Sequence, residues 1–147
     1  MISRSLFSII LLLAQGTSYR LLKADLPKAT DRLKEAVFAV SVERSTGRTE
    51  VESLICQVLA KEKPPKYEKL TILVFVDLDE YLPADDSVDL AEKNSRHQLA
   101  WYVWDRSLPR IRGRLVMMKD SSGDALDPWQ SREFNQDKAC SSRESQW

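Results

Sequence analysis

The sequence contains few of the residue types on which metal centres and nucleophilic hydrolases depend. Among its 147 residues it has one histidine, His97, and two cysteines, Cys56 and Cys140. A single histidine excludes a multi-histidine metal site, and two cysteines this far apart in the sequence do not predict a zinc cluster. The neighbourhood of His97 has no serine or cysteine in a nucleophile elbow, so a serine or cysteine hydrolase is not indicated either. No cofactor is predicted.

An excess of charge of either sign is also lacking. Lysine and arginine together number 22, as do aspartate and glutamate, so the formal net charge is zero. Without a net charge, the protein as a whole is not drawn to nucleic acid or to an anionic membrane. We therefore expect no nucleic-acid partner, and any electrostatic partner has to be recognised by a local patch.

Apolar runs long enough to cross a membrane are missing as well. The apolar block Leu6–Ala14 follows Arg4 and is followed by Gly16, a small residue suited to a signal peptidase site. This arrangement predicts a signal peptide over residues 1–16, cleaved before Thr17. The weaker alternatives are a folded, buried helix and an uncleaved anchor, and the block is far shorter than the ~20 residues that span a bilayer. We expect an exported protein, periplasmic or secreted, without a stable membrane anchor after cleavage.

Two states are open for Cys56 and Cys140. An exported protein meets an oxidising compartment, where the two residues can form a disulfide. The alternative is a pair of free thiols, since Cys140 lies in a polar tail with no evident reason to stay within bonding distance of Cys56. The sequence does not decide between them.

One amphipathic helix stands out in the middle of the chain. It is predicted to begin at a capping box formed by Thr49 and Glu52 and to end near Glu62, because Pro64 and Pro65 cannot continue it. Its apolar residues recur at helical spacing and are Val51, Leu54, Ile55, Val58 and Leu59.

Strands are predicted before and after this helix, from alternating or doubly apolar patterns at Val37–Val42, Leu70–Leu78, Gln98–Asp105 and Arg110–Met118. A strand, helix and strand in succession imply a parallel pair, and the short turn at 107–109 implies an antiparallel return. The predicted fold class is α+β, a two-layer β-α-β-β-β arrangement with one helix on a four-stranded mixed sheet. Residues 37–119 form this domain. Residues 17–36 are an extended lead-in, and residues 120–147 a polar, mostly disordered tail.

The central strand ends in three carboxylates, those of Asp77, Asp79 and Glu80. The segment VFVDLDEYL resembles the signature of the haloacid dehalogenase-like phosphohydrolases, a hydrophobic strand followed by Asp-x-Asp. The resemblance implies a magnesium site with Asp77 as nucleophile and Asp79 as acid and base. The sequence departs from that family at Glu80 and Tyr81, and the two strands that follow do not supply its crossover helices. Asp77, Asp79 and Glu80 are therefore candidate metal ligands of an alternative function, and a solvated acidic turn is the simpler interpretation.

Three arginines alternate along the last predicted strand, at Arg110, Arg112 and Arg114, so they share one face while Gly113 and Leu115 face inward. Such a ladder is a candidate binding site for a phosphate, a carboxylate or an acidic partner surface. The ordinary alternative is a solvent-exposed face paired with nearby carboxylates.

Aromatic residues occupy both faces of the preceding strand, at Trp101, Tyr102 and Trp104. Their rings are suited to stacking on bases or sugars, but beside Leu99 and Val103 they are more typical of a buried core.

The element order from Phe38 to Met118, together with the signal peptide, resembles several small, exported, uncharacterised bacterial α+β domain families. That resemblance implies a fold and a location and assigns no functional residue. We expect an exported, non-enzymatic domain that binds another protein, as an accessory subunit, an inhibitor or an immunity-type factor does. The alternative is a divalent-metal-dependent phosphohydrolase, or a metal binder, built on Asp77 and Asp79.

Overall fold

The computed structural model describes residues 17–63, 66–79, 94–107, 113–120, 122–136 and 138–140. They form an α+β fold in which a six-stranded mixed sheet follows the order of the chain. The strands are β1 (Arg20–Asp25), β2 (Glu35–Val42), β3 (Lys69–Val76), β4 (Gln98–Asp105), β5 (Gly113–Lys119) and β6 (Ala125–Glu133), and the helix α1 is Arg48–Glu62. No helix in these ranges is long and apolar enough to cross a membrane. The predicted signal peptide lies outside the described residues.

The prediction of four strands is wrong, because strands are added at both edges of the sheet. β1 comes from the segment interpreted as an extended lead-in, and it pairs antiparallel with β2. β6 comes from the segment for which disorder is predicted, and it pairs antiparallel with β5. Nearly every side chain of β6 is exposed, so its sequence carries no alternation of apolar and polar residues.

The predicted core of the sheet is confirmed. β2 and β3 are parallel, with α1 in the connection between them, and β3, β4 and β5 are antiparallel neighbours. β4 has the predicted bounds. β3 ends at Val76 rather than Leu78, because Asp77 takes a left-handed backbone conformation with φ of 51° and turns the chain away.

The N-cap of helix α1 lies two residues before the start of the predicted capping box. It is Gly47, whose N–H donates to the carboxylate of Glu50 at 3.1 Å. The predicted box of Thr49 and Glu52 is therefore wrong, and Glu52 instead pairs with Arg132 of β6. The helix ends near Glu62 as predicted, and Lys63 closes it in the left-handed conformation, donating to the Leu59 carbonyl at 3.0 Å.

The main core lies between α1 and one face of the sheet. Register carries a row of side chains across this face from Phe38 through Ile72 and Tyr102 to Leu115, all at most 4% exposed. The five predicted apolar positions of α1 are buried against it. Burying one large apolar side chain stabilises the folded state by about 1.5 to 3 kcal/mol, so this layer is the main source of stability.

A disulfide joins Cys56 of α1 to Cys140, with the two Cα atoms 5.5 Å apart. The alternative of two free thiols is therefore wrong. Pairing of β6 with β5 returns the polar tail to the side of the sheet that α1 covers, where Arg132 and Gln130 of β6 contact Glu52 and Arg48 of α1. β6, which was not predicted from the sequence, thus brings Cys140 within bonding distance of Cys56.

The face of the sheet opposite α1, called the second face below, carries two further rows. Ala39 belongs to a small buried cluster with Phe75 and Leu78, against which Leu22 and Leu73 pack. In each row, one residue from each of the six strands lies beside its partner on the next strand. The first row is Lys23, Ala39, Leu73, Trp101, Val116 and Ser131, and the second is Asp25, Val37, Thr71, Val103, Arg114 and Glu133.

Candidate functional site

The predicted metal ligands at the end of β3 have arginine partners. Asp77 accepts a hydrogen bond from Nε of Arg44 at 3.1 Å, and Asp79 from a terminal nitrogen of Arg20 at 3.3 Å. The same Arg20 group donates to the Leu78 carbonyl at 2.9 Å. Each carboxylate is thus balanced by a guanidinium, which removes the excess negative charge that a divalent cation needs.

The rest of this acidic end offers no metal site in the part of the chain that the structure describes. No cluster of three metal-ligating side chains occurs among those residues. Glu80, the third candidate ligand, lies outside them. The side chain of Asp79 is 99% exposed, which is typical of a solvated turn and not of a preorganised metal cage.

Arg114 is the one arginine of the predicted ladder that lies within the described residues. Arg114 is exposed, donates to the Ser131 hydroxyl at 2.8 Å and lies opposite Glu133 in the register of β5 and β6. Gly113 and Leu115 are buried, so the predicted alternation is confirmed at these positions. Arg110 and Arg112 lie outside the described residues. Arg114 therefore stands at the rim of the second face.

The aromatic residues of β4 separate onto the two faces of the sheet. Tyr102 and Trp104 belong to the core beneath α1, as predicted, and the Tyr102 ring packs edge to face on Phe134 at 5.7 Å. Burial raises the pKa of the Tyr102 hydroxyl, because the charged form would lose its hydration. Trp101 is half-buried and lies on the second face.

Trp101 has a partner that the sequence does not reveal. The ring of Trp129, in β6, meets it edge to face at 5.2 Å with an interplanar angle of 88°. Trp129 is 53% exposed, an unusual position for so large an apolar side chain. In the sequence, Trp129 is an isolated aromatic residue in a mostly polar segment, and this does not show that a strand brings it beside Trp101.

The second face has the composition of a recognition surface. In the middle of the two rows, on β2, β3 and β4, the side chains are apolar except for Thr71, and Leu73, Trp101 and Val103 are half-buried. Charged side chains close the two ends, on β1 and at the β5–β6 edge. An apolar, aromatic centre with a polar rim is the common anatomy of protein–protein interfaces. Chemically, this face can bury apolar surface against a partner.

Comparison with protein-family models, curated proteins and solved structures finds no match to this chain.

Proposed function

We propose that this protein is an exported, non-enzymatic domain that binds another protein through the second face of its sheet. The observation that carries the proposal is the pair formed by Trp101 and Trp129, in which one ring is half-buried and the other 53% exposed. Tryptophan is strongly enriched among the residues that dominate binding energy at protein interfaces. The Trp101 ring supports that of Trp129, so less conformational entropy is lost when a partner covers it.

The chemistry expected of the partner follows from the rows of the second face. The centre is apolar, and the ends carry both signs of charge, with Lys23 and Asp25 on β1 and Arg114 and Glu133 at the other edge. A partner that presents an apolar ridge with mixed charges at its borders fits this pattern. This protein would then act on that partner as an accessory subunit, an inhibitor or an immunity-type factor.

Export is the second part of the proposal. The disulfide between Cys56 and Cys140 is consistent with an oxidising compartment, because such bonds are rare in the cytosol. The predicted signal peptide over residues 1–16 supports the same destination, the periplasm or the extracellular medium. The partner is accordingly sought in the exported fraction.

The proposal is tested by capturing a partner from the exported fraction of the producing cells on the immobilised, disulfide-bonded protein and measuring its affinity by calorimetry. Trp129→Ala removes the exposed ring and is expected to weaken binding by about 2 kcal/mol or more, roughly 30-fold. Leu33→Ala is the matched control, since Leu33 is 60% exposed but lies in the connection between β1 and β2. Equal binding by Trp129→Ala and the unmodified protein would refute the proposed face.

A further inference from the structure

The six-stranded sheet is open, so β1 and β6 are its two edge strands. An edge strand presents a row of backbone N–H and C=O groups that can pair with a further strand. Proteins commonly protect such an edge with proline or charged side chains, or by covering it. The two edges of this sheet differ in how well they are protected.

β6 forms the protected edge. Pro128 lies within this strand and has no N–H to donate to a neighbouring chain. Arg132 and Gln130 contact α1, and the chain after the strand returns to the helix, where Cys140 is bonded to Cys56. These features leave β6 poorly suited to receive a further strand.

β1 forms the open edge. Its sequence, RLLKAD, contains no proline, and among the described strands it pairs with β2 alone. The side chains of Leu21 and Ala24 in the strand are exposed, and so is that of Leu26 directly after it. Exposed leucines on an unprotected edge are typical of a strand that pairs with another chain.

The two charged ends of β1 lie on the same face of the sheet. Arg20 lies opposite Ser41 of β2, and Asp25 lies opposite Val37. Because Ser41 and Val37 are an even number of residues apart in β2, both ends of β1 point to the same side. A strand that is basic at its start and acidic at its end, on one face, is complementary to a second copy of itself running antiparallel.

We propose that β1 pairs antiparallel with β1 of a second copy of this chain, joining the two sheets into one in a two-fold symmetric dimer. In this register Arg20 of each copy lies opposite Asp25 of the other, and the exposed Leu21 lies opposite the exposed Ala24. The register shift at Leu22 does not disturb the pairing, because the same extra residue occurs in both strands and the two bulges face each other.

The complementarity extends beyond the strand. Continued by one residue at each end, the register brings the exposed Leu26 beside Tyr19 of the second copy, which is half-buried against the main core. Each end of the interface thus combines an apolar contact with an ion pair, and the two-fold axis repeats both.

The present contacts of Arg20 are compatible with this pairing. Its bonds to the Leu78 carbonyl and to Asp79 both use the same terminal nitrogen, and a guanidinium carries five N–H donors. The carboxylate of Asp79 is almost fully exposed, so this intramolecular ion pair contributes little to stability.

The symmetry of the dimer determines which surfaces stay free. The two-fold axis of such a pairing is perpendicular to the sheet, so both copies of α1 lie on one side and both second faces on the other. β2 and β3 separate β1 from β4, so Trp101 and Trp129 remain uncovered. The inference does not rest on the proposed function, but a dimer would present two second faces to a partner.

Sedimentation velocity of the exported, disulfide-bonded protein over a dilution series measures the dimer, and a monomer–dimer equilibrium is expected. Arg20→Glu or Asp25→Arg alone places like charges opposite each other at both ends of the paired strands. Each variant is expected to raise the dissociation constant at least about tenfold. An equimolar mixture of the two variants is expected to regain dimers, because every ion pair of the mixed dimer again joins opposite charges.

Asp79→Asn is the matched control for Arg20→Glu, since it removes the intramolecular ion pair and leaves the edge intact, and it is expected to leave the dissociation constant unchanged. Trp129→Ala is expected to have no effect either, which separates this dimer from association through the second face. Circular dichroism confirms folding of each variant. A protein that stays monomeric at every concentration, a mixture that stays monomeric, or a dimer that only Trp129→Ala dissociates would overturn the proposal.

Discussion

At the scale of single residues, Gly113 occupies a position where there is no room for a side chain. A Cβ atom there would lie 2.5 Å from the Phe134 carbonyl oxygen and 2.6 Å from the Tyr102 hydroxyl oxygen. The Phe134 N–H also donates to the Gly113 carbonyl at 2.9 Å, so the two backbones are held close together. Glycine is needed here for close approach between strands, and not for an unusual backbone angle.

Gly113→Ala is expected to lower the free energy of unfolding by about 1 to 3 kcal/mol, the usual cost of forcing an extra methyl into a packed site. Urea denaturation measures the change. In a Tyr102→Phe background the loss should be smaller, because one of the two clashing oxygens has been removed while the Phe134 carbonyl remains. An equal loss in both backgrounds would show that the Tyr102 hydroxyl is not the obstacle.

At the scale of secondary-structure elements, burial decides what can be predicted. The helix and the strands β2, β3 and β4 alternate or repeat their apolar residues because they pack on a core, and sequence patterns reveal them. β6 is held instead by backbone pairing, by contacts to α1 and by the disulfide, none of which leaves a period in the sequence. The predicted start of α1 is wrong for a similar reason. Gly47 caps the helix through its backbone and has no side chain by which a sequence pattern could identify it.

The disulfide closes a loop with a sequence separation of 84 residues, so its removal frees a long stretch of the unfolded chain. Replacing both cysteines by alanine is expected to lower the free energy of unfolding by about 2 to 5 kcal/mol, measured by urea denaturation. Because the bond fastens the segment after β6, amide exchange in β6 should accelerate more than in β2. Unchanged stability would mean that the contacts of Arg132 and Gln130 alone hold this segment.

At the scale of the whole molecule, α1 is the one main helix among the described residues, and it packs on one face of the six-stranded sheet. The sequence singles out Trp101, but its position at the centre of the second face depends on strand register. The contact of Trp129 with Trp101 depends on β6, which no sequence pattern predicts. Arg44 and Lys119 likewise line one cavity only because of the order of the strands, which the sequence does not show. The acidic end of β3, the most conspicuous motif, is balanced by Arg20 and Arg44.

The measurement that tests the proposed binding face most directly is site-specific photo-crosslinking in the producing cells. A photoreactive phenylalanine analogue replaces Trp129 in one variant and Leu33 in another, and both proteins are exported before irradiation. The second face is expected to give a covalent adduct with one exported protein from position 129 and none from position 33. Adducts of equal yield from both positions, or none from position 129 when position 33 reacts, would contradict binding through this face.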